Sequence, residues 1–331
     1  MNINNIKVSV IGDGGWGTAI SILLCSKGIN TVLWSVSSEY SQYLEENREN
    51  IKFLKGVSLP DNLQITNDVS LLDNSDFVFF VVPCEYLHLV LDKFKDVNFK
   101  HIISATKGIE NGSLKRPSEI IQEYFSNNLI SVLSGPSISF EVANAIPTTV
   151  VLASKNNISK EIQELLTTKT FRTYTSEDVI GVELGGALKN VIAIASGISD
   201  GLGFGTNTKA AILTRGLAEI TRLGVKMGAK KSTFSGLSGI GDMATTCISK
   251  QSRNRWFGEQ IGKGQTKESV MKDIEMVVEG VLTCKSAYQL SKKYDVDMPI
   301  VEKVYEVLYE NKSPGLAVEE LMTRDLKEED Y

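Results

Sequence analysis

The chain of 331 residues has few of the side chains that build metal sites, disulfide frameworks or charge-driven binding surfaces. Its four cysteines are widely separated and form no C-x-x-C pair, so neither a metal site nor a disulfide framework is expected. Lysine and arginine total 35 against 40 acidic residues, which gives a net charge of −5, and no basic run stands out. Nucleic acid is therefore not an expected partner.

Long apolar runs and targeting segments are also missing. The run DFVFFVV, which starts at Asp76, is far shorter than the ~20 residues that a membrane helix requires. No apolar segment with a small-residue cleavage site follows Met1. Because 42% of the residues are hydrophobic and 23% are charged, we expect a globular, cytoplasmic protein without stable membrane insertion.

The sequence also lacks the motifs of nucleophilic hydrolases and kinases. It contains no G-x-S-x-G and no P-loop lysine motif. The two histidines, His88 and His101, have no neighbours that suggest a catalytic triad or a metal site, so we expect both to be structural.

The residues that are present divide the chain into two parts. Up to about residue 175, helix-like segments alternate with apolar β-branched runs, and the runs predict strands over 6–11, 31–34, 77–82, 101–105, 129–133 and 148–153. Further on, the periodicity is helical throughout. The sequence therefore predicts an α/β Rossmann-type dinucleotide-binding domain over 1–177 and an all-α substrate and catalytic domain over 178–331.

A glycine-rich turn follows the first predicted strand. Residues 12–17 read GDGGWG, which matches G-x-G-x-x-G, and a helix-forming segment follows. In this setting Gly12 permits a sharp turn, Gly14 lets a pyrophosphate approach the backbone, and Gly17 permits close contact between helix and strand. A dinucleotide site is predicted here, with an incidental glycine turn as the alternative.

The end of the second predicted strand should contact the adenosine ribose. Residues 34–37 read WSVS and offer neither an acid for a 2′-hydroxyl nor an arginine for a 2′-phosphate, although Ser35 and Ser37 can hydrogen-bond to either group. The cofactor is thus expected to be NAD or NADP, and the sequence indicates no preference.

Two loops follow later strands and are well placed for a ligand, since open α/β sheets bind ligands beyond the carboxyl ends of their strands. Lys107 offers a cation in one loop, and Gly135 and Ser137 offer hydrogen-bond donors in the other. A solvated lysine and a plain proline turn are the alternatives.

Lys189 is the sole charged residue between Glu183 and Asp200, in an apolar helical segment. Burial and a second cation such as Lys107 would lower its pKa and make it a proton donor and acceptor near neutral pH. A lysine that extends along the helix surface to reach water is the alternative. The neighbouring Asn190 either orients a ligand or caps a turn.

Two polar segments interrupt the helical part. Asp242 is placed to pair with Lys189 or with a substrate hydroxyl, and residues 252–255, SRNR, suit a phosphate group because they combine guanidinium, hydroxyl and amide donors. A basic surface cluster is the alternative for SRNR.

Together these motifs resemble the NAD(P)-dependent sn-glycerol-3-phosphate dehydrogenase family. The matching strings are IGDGGWGTA, ATKGIE, LSGPS, VELGGALKNVIAIASGISDGLGFGTNTKAA, LSGIGDM, SRNRWFG, VVEG and MTRDLK, in the family's order. The resemblance implies a Rossmann domain and a helical domain like the C-terminal domain of 6-phosphogluconate dehydrogenase. It also implies interconversion of dihydroxyacetone phosphate and sn-glycerol 3-phosphate, which supplies glycerophospholipid precursors, and a homodimer as one option.

The resemblance also implies roles for particular residues. Lys189 would be the proton donor and acceptor at the substrate C2 oxygen. The phosphorylated three-carbon substrate would be bound by Lys107, Gly135, Ser137, Lys189, Asp242, Ser252, Arg253 and Asn254. The cofactor would be bound by Gly12, Gly14, Gly15, Trp16, Gly17, Lys107, Ser139, Arg253, Val277 and Glu279.

The chain departs from the family at a few of these positions. Members often carry Ser or Ala at Gly15, Ala at Ser139 and a basic residue near Val36, and the last change leaves NADP preference open. Two alternatives share the fold plan: a related β-hydroxyacid or ketopantoate-type dehydrogenase, and a non-catalytic nucleotide-binding module. SRNR and the GPS loop argue against the first alternative, and the presence of Lys189 argues against the second.

Overall fold

Eight strands form one sheet in the first half of the chain. The structure, a computed structural model, describes residues 6–155, 158–274, 277–326 and 328–329. The strands are β1 (Lys7–Ile11), β2 (Asn30–Trp34), β3 (Leu63–Thr66), β4 (Ser75–Phe80), β5 (Phe99–Ser104), β6 (Ile130–Ser134), β7 (Thr148–Ala153) and β8 (Phe171–Ser176). Their order is β3-β2-β1-β4-β5-β6-β7-β8, and every neighbouring pair is parallel except β6 and β7. The predicted Rossmann-type sheet is confirmed.

Helices connect the strands and make up the second half of the described chain. The first half contains α1 (Gly15–Ser26), α2 (Ser38–Asn47), α3 (Leu87–Phe94), α4 (Pro117–Tyr124), α5 (Ser139–Ala143) and α6 (Ile158–Leu166). The second contains α7 (Val179–Gly201), α8 (Thr206–Lys226), α9 (Lys231–Phe234), α10 (Asp242–Ile248), α11 (Arg253–Gly262), α12 (Lys267–Lys272), α13 (Glu279–Tyr294), α14 (Pro299–Tyr309) and α15 (Pro314–Met322). A π-helical turn, Leu237–Gly241, leads into α10.

All six predicted strands are present, and two more occur that the sequence reasoning missed. β3 has only four residues, and β8 reads FRTYTS at the far edge of the sheet with half of its side chains exposed. β8 buries little surface at the edge of the sheet, so its sequence can stay polar, whereas β3 is mostly buried but too short to show an apolar run.

Apolar side chains on both faces of the sheet build separate cores. Along β4, Phe77 and Phe79 pack with α1, α2 and α6, whereas Val78 and Phe80 pack with α3 and α4. This alternation follows from the period of two along a strand. Helices therefore cover both faces, as the strand-helix alternation predicts.

α7 is the central helix of the second half. Within the described ranges it is the one helix long and apolar enough to cross a membrane, but 83% of its most apolar stretch lies buried inside the protein. Its small side chains let α8, α10, α11 and α13 pack around it. It is a core helix of the all-α part.

A buried ion pair joins α7 to α4, and we call it the Glu183 seam. Glu183 accepts a hydrogen bond from Arg116 Nη1 at 2.7 Å, and from the backbone N–H and the hydroxyl of Ser118, each at 2.7 Å. Burial raises the pKa of Glu183, and the charge of Arg116 opposes that shift. Every oxygen of this buried carboxylate thus has a partner from the other half of the chain.

Candidate active site

A cavity of about 860 Å³ lies where the strand order reverses, beyond the carboxyl ends of β1, β4 and β5. Open α/β sheets bind their ligands at such a switch point. The glycine turn lines one end of the cavity, and Lys189 lines the other. The cavity is thus long enough to bring the glycine motif and the helix lysine into one site.

The glycine turn has the geometry that a dinucleotide requires. Gly12 has φ +117°, and a Cβ there would lie 2.6 Å from the carbonyl oxygen of Val81; a Cβ on Gly17 would overlap the carbonyl oxygen of Gly12. Within residues 6–155, no side chain caps the start of α1, and the space beside Gly14 is open. The free N–H groups at this helix start therefore fit a pyrophosphate.

Beyond the glycine turn, the end of β2 meets the side chain of Asp13. Ser35 donates its hydroxyl hydrogen to Asp13 Oδ2 at 2.5 Å, and Ser37 accepts from the backbone N–H of Tyr40 to cap α2. The hydroxyl groups of Ser35 and Ser37 thus both form hydrogen bonds within the protein. Burial raises the pKa of Asp13, and the hydrogen bond from Ser35 opposes that shift. Val36 lines the cavity and is 60% exposed.

At the opposite end, two lysines share one carboxylate. Lys189 forms an ion pair with Asp242 Oδ1 and donates to Thr246 Oγ1 at 2.6 Å. Lys107 pairs with Asp242 Oδ2 at 2.8 Å and reaches the carbonyl oxygen of Gly135 at 3.4 Å. The predicted pairing of Asp242 with Lys189 and the predicted proximity of Lys107 are both confirmed.

Lys189 is 5% exposed, and its surroundings lower its pKa to about 8. Burial is the largest cause, because it penalises the charged ammonium; the charge of Asp242 opposes the shift, and the nearby Lys107 adds to it. The ammonium can therefore gain and lose a proton close to neutral pH, as the sequence predicts.

The start of α11 faces the same cavity. Ser252 caps this helix by accepting from the backbone N–H of Arg255 at 3.2 Å, and the exposed Arg253 donates to the carbonyl oxygen of Val277 at 3.0 Å. Arg255 instead pairs with Asp200 at 2.7 Å and is not part of the described cavity lining. Of the two arginines in SRNR, Arg253 is thus the one placed for an anion in the cavity.

A chain of amide groups connects the helices behind Lys189. Asn190 donates to Glu279 Oε2 at 3.3 Å and accepts from Asn254 Nδ2 at 3.0 Å, while Asn254 Oδ1 accepts from the backbone N–H of Gly280 at 2.9 Å. Burial raises the pKa of Glu279, and Arg253 is the main opposing charge. Asn190 therefore links α7, α11 and α13, and all three side chains of this network also line the cavity.

Most of the residues expected from the sequence line this cavity. The lining includes Gly12, Gly14, Gly15, Trp16, Lys107, Ser137, Ser139, Lys189, Asp242, Ser252, Arg253, Asn254, Val277 and Glu279. Gly17 and Gly135 lie outside it: Gly17 packs against the glycine turn, and Gly135 accepts from Lys107.

Thr246 and Asp13 are among the side chains of the site that the sequence reasoning missed. Thr246 follows Asp242 by one helical turn, a spacing that places both on one face of α10. Asp13 lies inside the glycine motif, where the pattern allows any residue, so no signal distinguished it. The two histidines lie elsewhere: His88 contacts Tyr124 and Glu110, and the ring of His101 packs near Phe77. Among described residues no group of three or more His, Cys, Asp or Glu is placed to hold a metal ion.

Comparison with known proteins identifies a family for both halves of the chain. Residues 7–160 match the model of the NAD-dependent glycerol-3-phosphate dehydrogenase N-terminus, and residues 178–319 match that of its C-terminus. The chain is 47% identical to glycerol-3-phosphate dehydrogenase [NAD(P)+] of Prosthecochloris aestuarii, over 97% of this chain and 99% of the relative. It is 49% identical to the protein of the same name from Citrifermentans bemidjiense, over 98% of each chain.

Solved structures agree with the sequence comparison. The glycerol-3-phosphate dehydrogenase of Coxiella burnetii superposes with a TM-score of 0.93 at 37% identity, covering 96% of this chain and 99% of that one. A ketopantoate reductase from Ralstonia eutropha reaches a TM-score of 0.61 at 13% identity, covering 96% of this chain and all of the other, and shares the fold alone. The chain therefore belongs to the NAD-dependent glycerol-3-phosphate dehydrogenase family and is an NAD(P)-dependent oxidoreductase that acts on a CH–OH group.

Proposed function

We propose that Lys189 is the proton donor and acceptor in the interconversion of dihydroxyacetone phosphate and sn-glycerol 3-phosphate. The observation that carries this assignment is its position: a buried lysine with its pKa lowered to about 8, at the inner end of a cavity that begins at a dinucleotide-binding turn. A proton must move at the C2 oxygen whenever a hydride moves at C2, and Lys189 is placed to exchange it.

Other charged groups of the chain hold Lys189 in place and stabilise the charge that develops on the substrate. The bound nicotinamide supplies or accepts the hydride. Lys107 places a second positive charge beside the C2 oxygen and stabilises it as it becomes alkoxide-like. Asp242 holds both lysines, since each of its oxygens pairs with one ammonium group. Thr246 accepts a hydrogen bond from the Lys189 ammonium and helps to fix its position.

The phosphate of the substrate lies, in this proposal, at the start of α11. Arg253 offers a guanidinium and Ser252 and Asn254 flank it, while the helix start contributes its N–H groups. Binding the remote phosphate there orients C2 toward Lys189, so binding energy away from the reacting carbon lowers the barrier.

The remaining residues fall into two groups. The first group is Gly12, Gly14, Gly15, Trp16, Ser139, Val277 and Glu279, which line the cavity, with Gly17 supporting the turn. The second is Ser137, which lines the cavity, and Gly135, whose carbonyl oxygen accepts from Lys107. Arg253 and Lys107 would contact the cofactor as well as the substrate. We assign cofactor contacts to the first group and substrate contacts to the second.

The same proposal covers domain organisation, assembly and location. The sheet-containing part, 1–177, binds the cofactor, and the helical part, 178–331, supplies Lys189 and the phosphate site. A homodimer and a cytoplasmic location rest on the family resemblance. Light scattering at micromolar concentration tests the first, since a dimer has twice the chain mass of 36.3 kDa.

A turnover assay tests the activity directly. Purified chain is mixed with dihydroxyacetone phosphate and NADH or NADPH, and oxidation of the cofactor is followed by the absorbance of the reduced nicotinamide. Parallel reactions contain ketopantoate or a short β-keto acid. We expect turnover with dihydroxyacetone phosphate alone. Turnover with a keto acid instead, or nucleotide binding without any turnover, would replace the proposal by one of the two alternatives.

A further inference from the structure

The ribose end of the cavity holds an acidic side chain that comes from the glycine turn and not from β2. Asp13 lines the cavity, and Ser35, the first residue after β2, donates a hydrogen bond to its carboxylate at 2.5 Å. Dinucleotide-binding domains usually place an acid about 20 residues after the glycine turn, at the end of the second strand, where it binds the ribose 2′-hydroxyl. Here the position after β2 is a serine, and the carboxylate reaches it from the turn.

Hydrogen bonds hold the backbone of this turn, and the bond from Ser35 holds the carboxylate of Asp13. The carbonyl oxygen of Asp13 accepts from Asn50 Nδ2 at 2.7 Å and from Thr18 Oγ1 at 3.2 Å. Ser35 donates to Oδ2, and the backbone N–H of Asp13 itself also stabilises the charged carboxylate. Because a carboxylate has about four acceptor positions, Asp13 can still accept from a ribose hydroxyl in the cavity that it lines.

The positive charges around this end are exposed. Lys52 lies over the ring of Tyr40 at 4.3 Å from the ring centre, and its charge acts on Asp13; Lys55 and Lys93 lie on the cavity lining. All three lysines are exposed to solvent, which screens their charge, whereas Asp13 is only partly exposed. Val36, the neighbouring side chain on the lining, is apolar. Asp13 is thus the acidic side chain that lines the cavity next to the end of β2.

We propose that Asp13 binds the adenosine ribose of the cofactor, and that this contact makes the site bind NAD(H) more tightly than NADP(H). Its carboxylate accepts a hydrogen bond from the 2′-hydroxyl and repels a 2′-phosphate, so both effects favour the same cofactor. Ser35 is a positioning residue that aims the carboxylate. The inference rests on one part of the proposed function, which is that the cofactor binds in this cavity.

Equilibrium binding tests the inference without turnover. Isothermal titration calorimetry gives Kd for NAD+ and NADP+, and for the fragments AMP and adenosine 2′-monophosphate, with the wild-type chain and with Asp13→Asn. We expect the wild type to bind NAD+ at least about tenfold more tightly than NADP+, and Asp13→Asn to reduce that ratio by about tenfold, since a charge-assisted contact and a repulsion are both lost. Glu39→Gln is the matched control, because it removes an exposed carboxylate from the start of α2 outside the cavity lining.

The possible results separate clearly. Equal affinity of the wild type for NAD+ and NADP+, or an unchanged ratio in a folded Asp13→Asn variant, overturns the inference. If that variant does not fold, Ser35→Ala replaces it and should reduce the ratio by about threefold, and the wild-type preference for AMP over adenosine 2′-monophosphate gives a second test. Selective binding of NAD+ without turnover of dihydroxyacetone phosphate would leave this inference standing and remove the proposed function.

Discussion

The two ends of the cavity are built in different ways. The glycine end comes from one continuous segment, β1 to α1, and its ligand-binding groups are mainly backbone N–H groups at a helix start. The lysine end joins the loop after β5, the middle of α7 and the start of α10, and its ligand-binding groups are side chains. The first end depends on local backbone geometry, and the second depends on how distant helices pack.

This difference also sets the electrostatics of each end. At the glycine end the positive potential is a fixed property of backbone dipoles and does not titrate. At the lysine end two ammonium groups share one carboxylate, and burial brings the pKa of Lys189 to about 8. Proton transfer at the lysine end should therefore depend more strongly on pH and on single side-chain changes than pyrophosphate binding at the glycine end.

Removing Lys189 is expected to give the largest effect. Lys189→Ala should lower kcat by about 10²–10⁴-fold, because the proton donor is lost, while the Kd of NADH measured by titration stays within about threefold. Asp242 keeps Lys107 as a partner, so no buried charge is left unpaired. Lys226→Ala, at the exposed end of α8, is the control. Turnover within threefold of wild type would remove Lys189 from the mechanism.

Removing Arg253 is expected to act mainly on substrate binding. Arg253→Ala should lower kcat/KM for dihydroxyacetone phosphate by ~2–4 kcal/mol, since a charge-assisted bidentate contact is lost. Some loss of cofactor affinity should accompany it. Unphosphorylated dihydroxyacetone serves as the control substrate, and an equal loss with both substrates would show that Arg253 does not bind the phosphate.

The pH dependence of kcat/KM and of cofactor binding distinguishes the lysine end of the cavity from the glycine end without any mutation. Reduction of the ketone consumes a proton, so protonated Lys189 is the competent form, and kcat/KM should fall about tenfold per pH unit above a pKa of about 8. The Kd of the cofactor should change much less over the same range. Because Lys107 lowers the pKa of Lys189, Lys107→Met should move the falling limb to higher pH. A limb that stays in place would assign it to another group.

The smallest effect is expected at the ribose end. Val36→Arg should shift the NADPH/NADH ratio of kcat/KM toward NADPH by about tenfold, or ~1.4 kcal/mol, because the exposed position 36 lines the cavity and an arginine there can pair with a 2′-phosphate. Steady-state kinetics with both cofactors measures this ratio. An unchanged ratio would place cofactor choice away from residue 36.

The same contrast explains what the sequence could predict. The glycine turn and the six apolar strands were predictable because their signals are local, and Lys189 stood out because it is a lone charge in an apolar helix. β8 escaped because it is an exposed edge strand. That Arg253 and not Arg255 faces the cavity depends on the pairing of Arg255 with Asp200, a contact across 55 positions of the chain that no local pattern encodes. The contact between Asp13 and Ser35 likewise depends on the fold, because it joins the glycine turn to the end of β2.

The Glu183 seam limits how reactants can enter and leave. Glu183 lies on the same helix as Lys189, and its carboxylate is bound by Arg116 and Ser118 from the sheet-containing half. Separating the two halves at this seam would leave the buried carboxylate of Glu183 without its partners, which would cost about 3–5 kcal/mol of free energy. Substrate and cofactor should therefore enter and leave through the opening of the cavity, where Val36 and Arg253 are exposed, and not through a gap between the two halves of the chain.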